Sequence, residues 1–160
     1  MRLSVEEAFE KYGDRLFALA FSICQNHADA DDVVQDTFIK YYTNDVEYID
    51  ESHLKAWLMR VAINRSKDLV SSFWHKNKSE WQEYMNDLSF TEPEYSNLFD
   101  AVMRLPEKYR IAVHLFYYEE YSVGEIAELL KTREGTVKSQ LSRGRKLLKN
   151  MLMEEWNDDE

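Results

Sequence analysis

The chain has 160 residues, 44% of them hydrophobic and 14% aromatic, which suits one domain or two small ones and predicts a folded chain, not a disordered one. Thirty Asp and Glu against twenty Lys and Arg give a formal charge of −10, unfavourable for unaided binding to a polyanion. A single cysteine, Cys24, excludes an internal disulfide, and neither a signal peptide nor a run of about 18 apolar residues is visible, so a soluble cytoplasmic protein without direct membrane insertion is expected.

Two Pro, four Gly and few β-branched runs predict an all-α fold. Ser4 and Glu7 can cap a first helix through Leu16, Phe17, Ala20, Phe21 and Cys24, bent near Gly13 and broken at Asn26-His27. Among these apolar neighbours Cys24 reads as a buried structural thiol. A second helix, about 28–42, buries Val34, Phe38 and Tyr41 and turns Asp29, Asp32 and Asp36 outward, with Asp31 and Gln35 beside them. The helix dipole gives Asp29, Asp31 and Asp32 a structural reason to stand near the start; Asp36 lies beyond the first turn. A solvated face and a docking surface for a basic partner both fit.

After a polar loop, 43–51, a long helix over about 52–76 buries Leu54, Leu58, Val61, Ala62, Leu69 and Phe73. Its other side carries Arg60, Asn64, Lys67, Ser71 and Trp74 at steps of four and three. Cations for phosphate, an amide for a base edge and an aromatic for stacking are what a single-stranded nucleic-acid site uses, although an ordinary polar helix face has the same composition. Residues 77–95 read as an acidic linker, with Trp81 and Tyr84 as apolar exceptions. A short helix is expected over 97–104, and Pro106 suits the first turn of the next, which runs through Ile111, Leu115 and Phe116 to about Tyr118.

The stretch 121–150 reads as two helices joined by a tight turn. Ser122 and Glu125 have capping-box spacing, and Ile126, Leu129 and Leu130 share a face beside the small Ala127. Thr132 can cap the second helix, whose Val137, Leu141, Leu148 and Met151 point inward. Ser139, Ser142, Arg143 and Lys146 lie opposite, with Lys138, Arg145 and Lys149 on a flank. From Lys131 to Lys149 there are seven Lys/Arg and one acid, Glu134, a basic helix-turn-helix within an acidic chain. The turn position usually held by Gly is Lys131, where a left-handed backbone costs about 1 kcal/mol more than with Gly. Other segments are charge-blocked too: 29–51 has eight acids and one base, 55–78 six bases and one acid, 79–100 six acids and no base, and the tail 154–160 five acids. Separate partners for separate segments follow from that pattern.

DADDVVQDTFIKYY (Asp29–Tyr42), HLKAWLMRVAINRSKD (His53–Asp68), RLPEKYRIAVHLFYYEEYSVGEIAELL (Arg104–Leu130) and TREGTVKSQLSRGRKLLK (Thr132–Lys149) stand in one order at characteristic separations. Together they resemble an extracytoplasmic-function (ECF) sigma factor of bacterial RNA polymerase over residues 5–152. The resemblance implies two helical domains, 1–76 and 96–153, with a linker at 77–95 and an acidic tail at 154–160. It implies core RNA polymerase docking at Asp31, Asp32, Gln35 and Asp36. It implies minus-ten promoter DNA recognition and melting by Leu54, Arg60, Asn64, Lys67, Ser71, Trp74 and the loop before them, Leu54 standing where some members carry an aromatic. Minus-thirty-five contacts fall to Arg133, Glu134, Thr136, Lys138, Ser139, Arg143 and Lys146. The linker resembles the segment that lies in the polymerase channel, the lack of further domains fits the ECF group, and an anti-sigma factor is an expected partner.

A stand-alone dimeric helix-turn-helix regulator would show the same recognition helix, but leaves the acidic helix and the 60–74 stripe without a purpose. Enzymatic function is not expected: His27, His53, His75 and His114 lack metal-ligand spacing, and neither a Ser/His/Asp arrangement nor a glycine-rich phosphate loop appears. No cofactor or metal is implied.

Overall fold

The computed structural model describes residues 1–76 and 97–158, and every regular element among them is helical. The chain divides into two compact units, Met1–Leu88 and Ser89–Glu160. The linker expected at 77–95, with Trp81 and Tyr84, lies outside the described residues.

In the first unit, α1 (Val5–Cys24) starts where the Ser4 hydroxyl accepts the Glu7 N–H at 3.1 Å. It runs without interruption through Gly13, where a bend was expected, and stops because Gln25 turns left-handed at φ 57. Asn26 then caps α2 (His27–Thr43) by accepting the Asp29 N–H at 2.9 Å. The expected break at Asn26-His27 is thus a C-cap followed directly by an N-cap. Ala30, Val33, Val34, Phe38 and Tyr41 of α2 are buried, each large one contributing about 1.5–3 kcal/mol of transfer free energy.

Helix α3 (Glu51–Lys76) packs against both α1 and α2, so its buried arc is wide. Leu54, Leu58 and Ala62 are in the core as expected, joined by Met59, Ile63 and Ser66; Val61 and Leu69 are only half-buried, and the Phe73 side chain lies outside the described residues. Cys24 is buried, its Sγ 3.9 Å from the Ser66 carbonyl.

The second unit packs α4 (Asn97–Arg104), α5 (Glu107–Val113) and α6 (Val123–Leu130) against the long α7 (Glu134–Asp158). Pro106 stands just before α5 rather than within its first turn, and its carbonyl accepts the N–H groups of Tyr109 and Arg110 at 3.0 and 2.9 Å. The helix expected to reach Tyr118 changes pitch: His114–Tyr118 is one π-helical turn, closed by Glu119 N–H to His114 O at 3.2 Å. Such turns insert one residue per turn, and nothing in the pattern HLFYY announces it. Gly144 of α7 lets α5 approach closely, since a Cβ there would stand 3.1 Å from Val113 Cγ2 and 3.4 Å from Tyr109 Cβ. Helix α7 continues to Asp158, so the tail expected to start at Glu154 is helical through that residue.

Candidate functional site

Three solvent-facing surfaces carry the residues singled out by sequence. The most sharply built is the helix-turn-helix. The Ser122 hydroxyl accepts the Glu125 N–H at 3.1 Å while the Glu125 carboxylate accepts the Ser122 N–H at 3.0 Å, so two orphan donors at the start of α6 are satisfied reciprocally. At its end Lys131 adopts φ 54, ψ 49, the conformation Gly would have filled. Lys131 N–H reaches Glu128 O at 3.3 Å and Thr132 N–H reaches Ala127 O at 2.9 Å, the paired bonds of a Schellman turn.

Thr132 therefore serves the end of α6 through its backbone and does not cap the second helix. That helix begins at Glu134, with the Arg133 carbonyl accepting from Thr136 and Val137 at 3.0 and 3.2 Å. The Glu134 carboxylate lies over Gly124, an oxygen 3.0 Å from where a Cβ would stand. Ile126, Ala127 and Leu129 of α6 are buried, as are Val137, Leu141 and Leu148 of α7; Met151, expected inward, is half-buried. That packing leaves Arg133, Glu134, Thr136, Lys138, Ser139, Arg143 and Lys146 exposed. Lys131, Arg145 and Lys149 are exposed too, so all seven cations of the segment face solvent.

The second surface is on α2. Asp31, Asp32 and Gln35 are exposed. Burial, reinforced by the neighbouring Asp32 carboxylate, raises the half-buried Asp29 above the usual carboxylate range. Asp36 differs from its neighbours: it is half-buried, and its Oδ2 accepts Arg65 Nε from α3 at 2.7 Å. Sequence reasoning found no structural reason for Asp36, and missed Arg65, because the two are 29 positions apart and only the α2–α3 packing joins them.

The third surface is the outward side of α3. Asn64, Lys67 and Ser71 are exposed, Arg60 is half-buried, and the Trp74 side chain lies outside the described residues. Leu54 needs a correction: it is 0% exposed, a core residue in the first turns of α3, and offers no side-chain surface to DNA. Among the described residues no group of three or more His, Cys, Asp or Glu is placed to hold a metal ion, and no helix is long and apolar enough to cross a membrane.

Comparison with known proteins covers both units. The sequence profile of Sigma-70 region 2 matches residues 8–75, and that of Sigma-70, region 4 matches residues 96–148. The ECF RNA polymerase sigma factor SigW of Bacillus subtilis is 29% identical, over 88% of this chain and 84% of the relative. SigM of the same organism, also an ECF RNA polymerase sigma factor, is 26% identical over 98% of this chain and all of its own length. Among solved structures, the sigma factor RpoE of Bartonella quintana in complex with the anti-sigma factor NepR superposes with a TM-score of 0.67 at 23% identity, covering 92% of this chain and 96% of that one. CnrH, solved with the cytosolic domain of CnrY, gives 0.63 at 22% identity, covering 92% and 86%.

Proposed function

The chain belongs to the extracytoplasmic-function sigma factors, and from that premise we propose that it docks on core RNA polymerase through α2 and delivers two DNA-reading faces to a promoter. Asp31, Asp32 and Gln35 form the docking face. Asp36 contributes by holding α2 against α3 through Arg65. The exposed side of α7, with Arg133, Glu134, Thr136, Lys138, Ser139, Arg143 and Lys146, reads the minus-thirty-five element in the major groove. Arg60, Asn64, Lys67, Ser71 and Trp74 of α3, with the loop before it, handle the opened minus-ten strand, cations on phosphate and the amide on a base edge.

The observation that carries this reading is the separation of charge onto different faces: seven exposed cations on the helix-turn-helix, and exposed carboxylates on a helix of the other unit. A net charge of −10 makes free DNA a poor ligand. Two weak modules tethered to one polymerase gain by effective concentration, so binding depends on the core enzyme. Two similar solved proteins were captured with protein partners, an anti-sigma factor in one case, which supports a protein inhibitor as a further partner. Docking and DNA reading need no catalytic groups in this chain; RNA synthesis belongs to the polymerase.

Co-elution with bacterial core RNA polymerase on a sizing column tests the docking face. Wild type should co-elute, and Asp31→Lys/Asp32→Lys, which spares the Asp36–Arg65 tie, should not. Co-elution that survives the double substitution moves the docking face elsewhere. Tight, polymerase-independent promoter binding by the free protein would sink the tethering argument.

A further inference from the structure

We propose that Arg2 is a positioning residue for minus-ten recognition: it straps the N-terminal segment to the loop between α2 and α3 and so sets the shape that this loop presents to DNA. The inference rests on the promoter reading given above and adds a residue that neither charge pattern nor periodicity singles out.

The loop, residues 44–50, is held at two ends. At its far end Tyr48 is buried, in ring contact with Tyr41 (6.0 Å), Trp57 (5.9 Å) and His53 (5.3 Å). Ile49 N–H donates to His53 Nδ1 at 3.0 Å and His53 N–H to Asp50 Oδ1 at 2.8 Å, which closes the loop onto the first turn of α3. At its near end the holder is Arg2. Its guanidinium donates to Asn44 Oδ1 and to Val46 O, both at 3.2 Å, and to the Tyr41 carbonyl. It also lies 4.7 Å above the Tyr41 ring.

Each of these contacts has a physical reason. Tyr41 O belongs to the last turn of α2, where carbonyls lack intrahelical partners and a cation is favoured by the helix dipole. Asn44 is the C-cap of α2; its Oδ1 also accepts the Val46 N–H at 2.9 Å, and its Nδ2 donates to Lys40 O at 3.0 Å. Arg2 therefore grips the one side chain that organises the start of the loop. The Tyr41 hydroxyl donates back to Leu3 O, so the strap is anchored in both directions.

Between the two anchors the loop turns Asp45, Val46, Glu47 and Ile49 outward, Ile49 to 85% exposure. The Ile49 side chain is the most exposed of the large hydrophobic ones among the described residues, and it is of the type that packs against an unstacked base or sugar. Only a forked, permanently charged donor spans a helix-end carbonyl, an amide oxygen and a loop carbonyl at once, so Lys replaces Arg2 only in part.

The test uses the full chain with Arg2→Gln and Arg2→Lys. Hydrogen exchange is read first, independent of any function: amides of 44–49 should exchange about tenfold faster in Arg2→Gln, with α1 and α3 protected as in wild type. Each protein is then joined to core polymerase on a promoter selected from random duplexes by the wild-type holoenzyme. Open-complex formation and discrimination among single-base changes in the minus-ten element should both fall about tenfold, with Arg2→Lys intermediate, while co-elution with core stays unchanged. Unchanged loop exchange overturns the strap. Faster loop exchange with unchanged discrimination overturns its role in recognition, and equal losses in core binding and in α1 protection reduce Arg2 to general stability. A wild-type holoenzyme that opens no selected promoter overturns the promoter reading itself, and this inference with it.

Discussion

Lys131→Gly should stabilise the second unit while removing a cation. Lys131 sits at φ 54, ψ 49 between α6 and α7, and its backbone already makes both bonds of the Schellman turn, so Gly changes nothing in the hydrogen bonding. A left-handed residue other than Gly costs about 1–2 kcal/mol, while Gly regains roughly 0.4–1 kcal/mol of freedom in the unfolded chain. The difference leaves a net gain of about 0.5–1 kcal/mol, or roughly 3–6 °C in the melting temperature of a domain this small. Hydrogen exchange of buried amides in α5 and α6 reports global opening of this unit alone, and should slow about two- to fivefold. Lys131→Ala removes the same charge from the same exposed site but keeps the Cβ in the unfavourable backbone region, so it should show no such slowing. If Ala and Gly stabilise equally, relief of charge repulsion in the basic segment is the cause and the backbone reasoning is refuted.

Both partners of the Asp36–Arg65 pair are 39% exposed in their side chains, so Asp36→Asn and Arg65→Gln should each lower first-unit stability by at most about 1 kcal/mol. A double-mutant cycle in urea should return a coupling of about 0.3–1 kcal/mol; zero coupling would leave the 2.7 Å contact without energetic content. Gly144→Ala should destabilise the second unit by about 1 kcal/mol, because crowding against Val113 and Tyr109 outweighs the helix-propensity gain. Gly135→Ala, where a Cβ meets nothing within 4 Å, should stabilise it, and the two urea midpoints must move in opposite directions. Burial lowers His114 to about 4, against a weaker opposing pull from Glu119, so the folded unit holds it neutral. Its contribution is then complete above the unfolded value of 6.5 and is lost as the pH falls from 6.5 to about 4, by up to about 3 kcal/mol. His114→Gln should flatten the pH dependence of the urea midpoint in that window; an unchanged slope would assign the acid sensitivity to other groups.

The parts of this molecule legible from sequence are those decided within one or two helical turns. Ser4 with Glu7 and Ser122 with Glu125 act over three residues, and both caps form as their spacing implies. Val137, Leu141 and Leu148 recur along one helix, so their burial also puts the cations on the opposite side. Where a residue's role depends on a second element, the sequence is silent or misleading. Periodicity places Leu54 on the buried face and its position in a motif places it in the DNA site, and the packing of α3 against two helices decides for the core. Thr132 looked like an N-cap, but the left-handed Lys131 puts its N–H on α6 and delays α7 by one residue. Asp36 belongs to the same acidic series as Asp31 and Asp32, and only its approach to Arg65 shows that it does a different job. That distinction matters for function. A charge reversal at Asp36 would disturb the α2–α3 tie and the proposed docking surface together, so lost docking would identify neither. Reversal at Asp31 and Asp32 leaves the tie intact, and lost docking then reports on the surface alone.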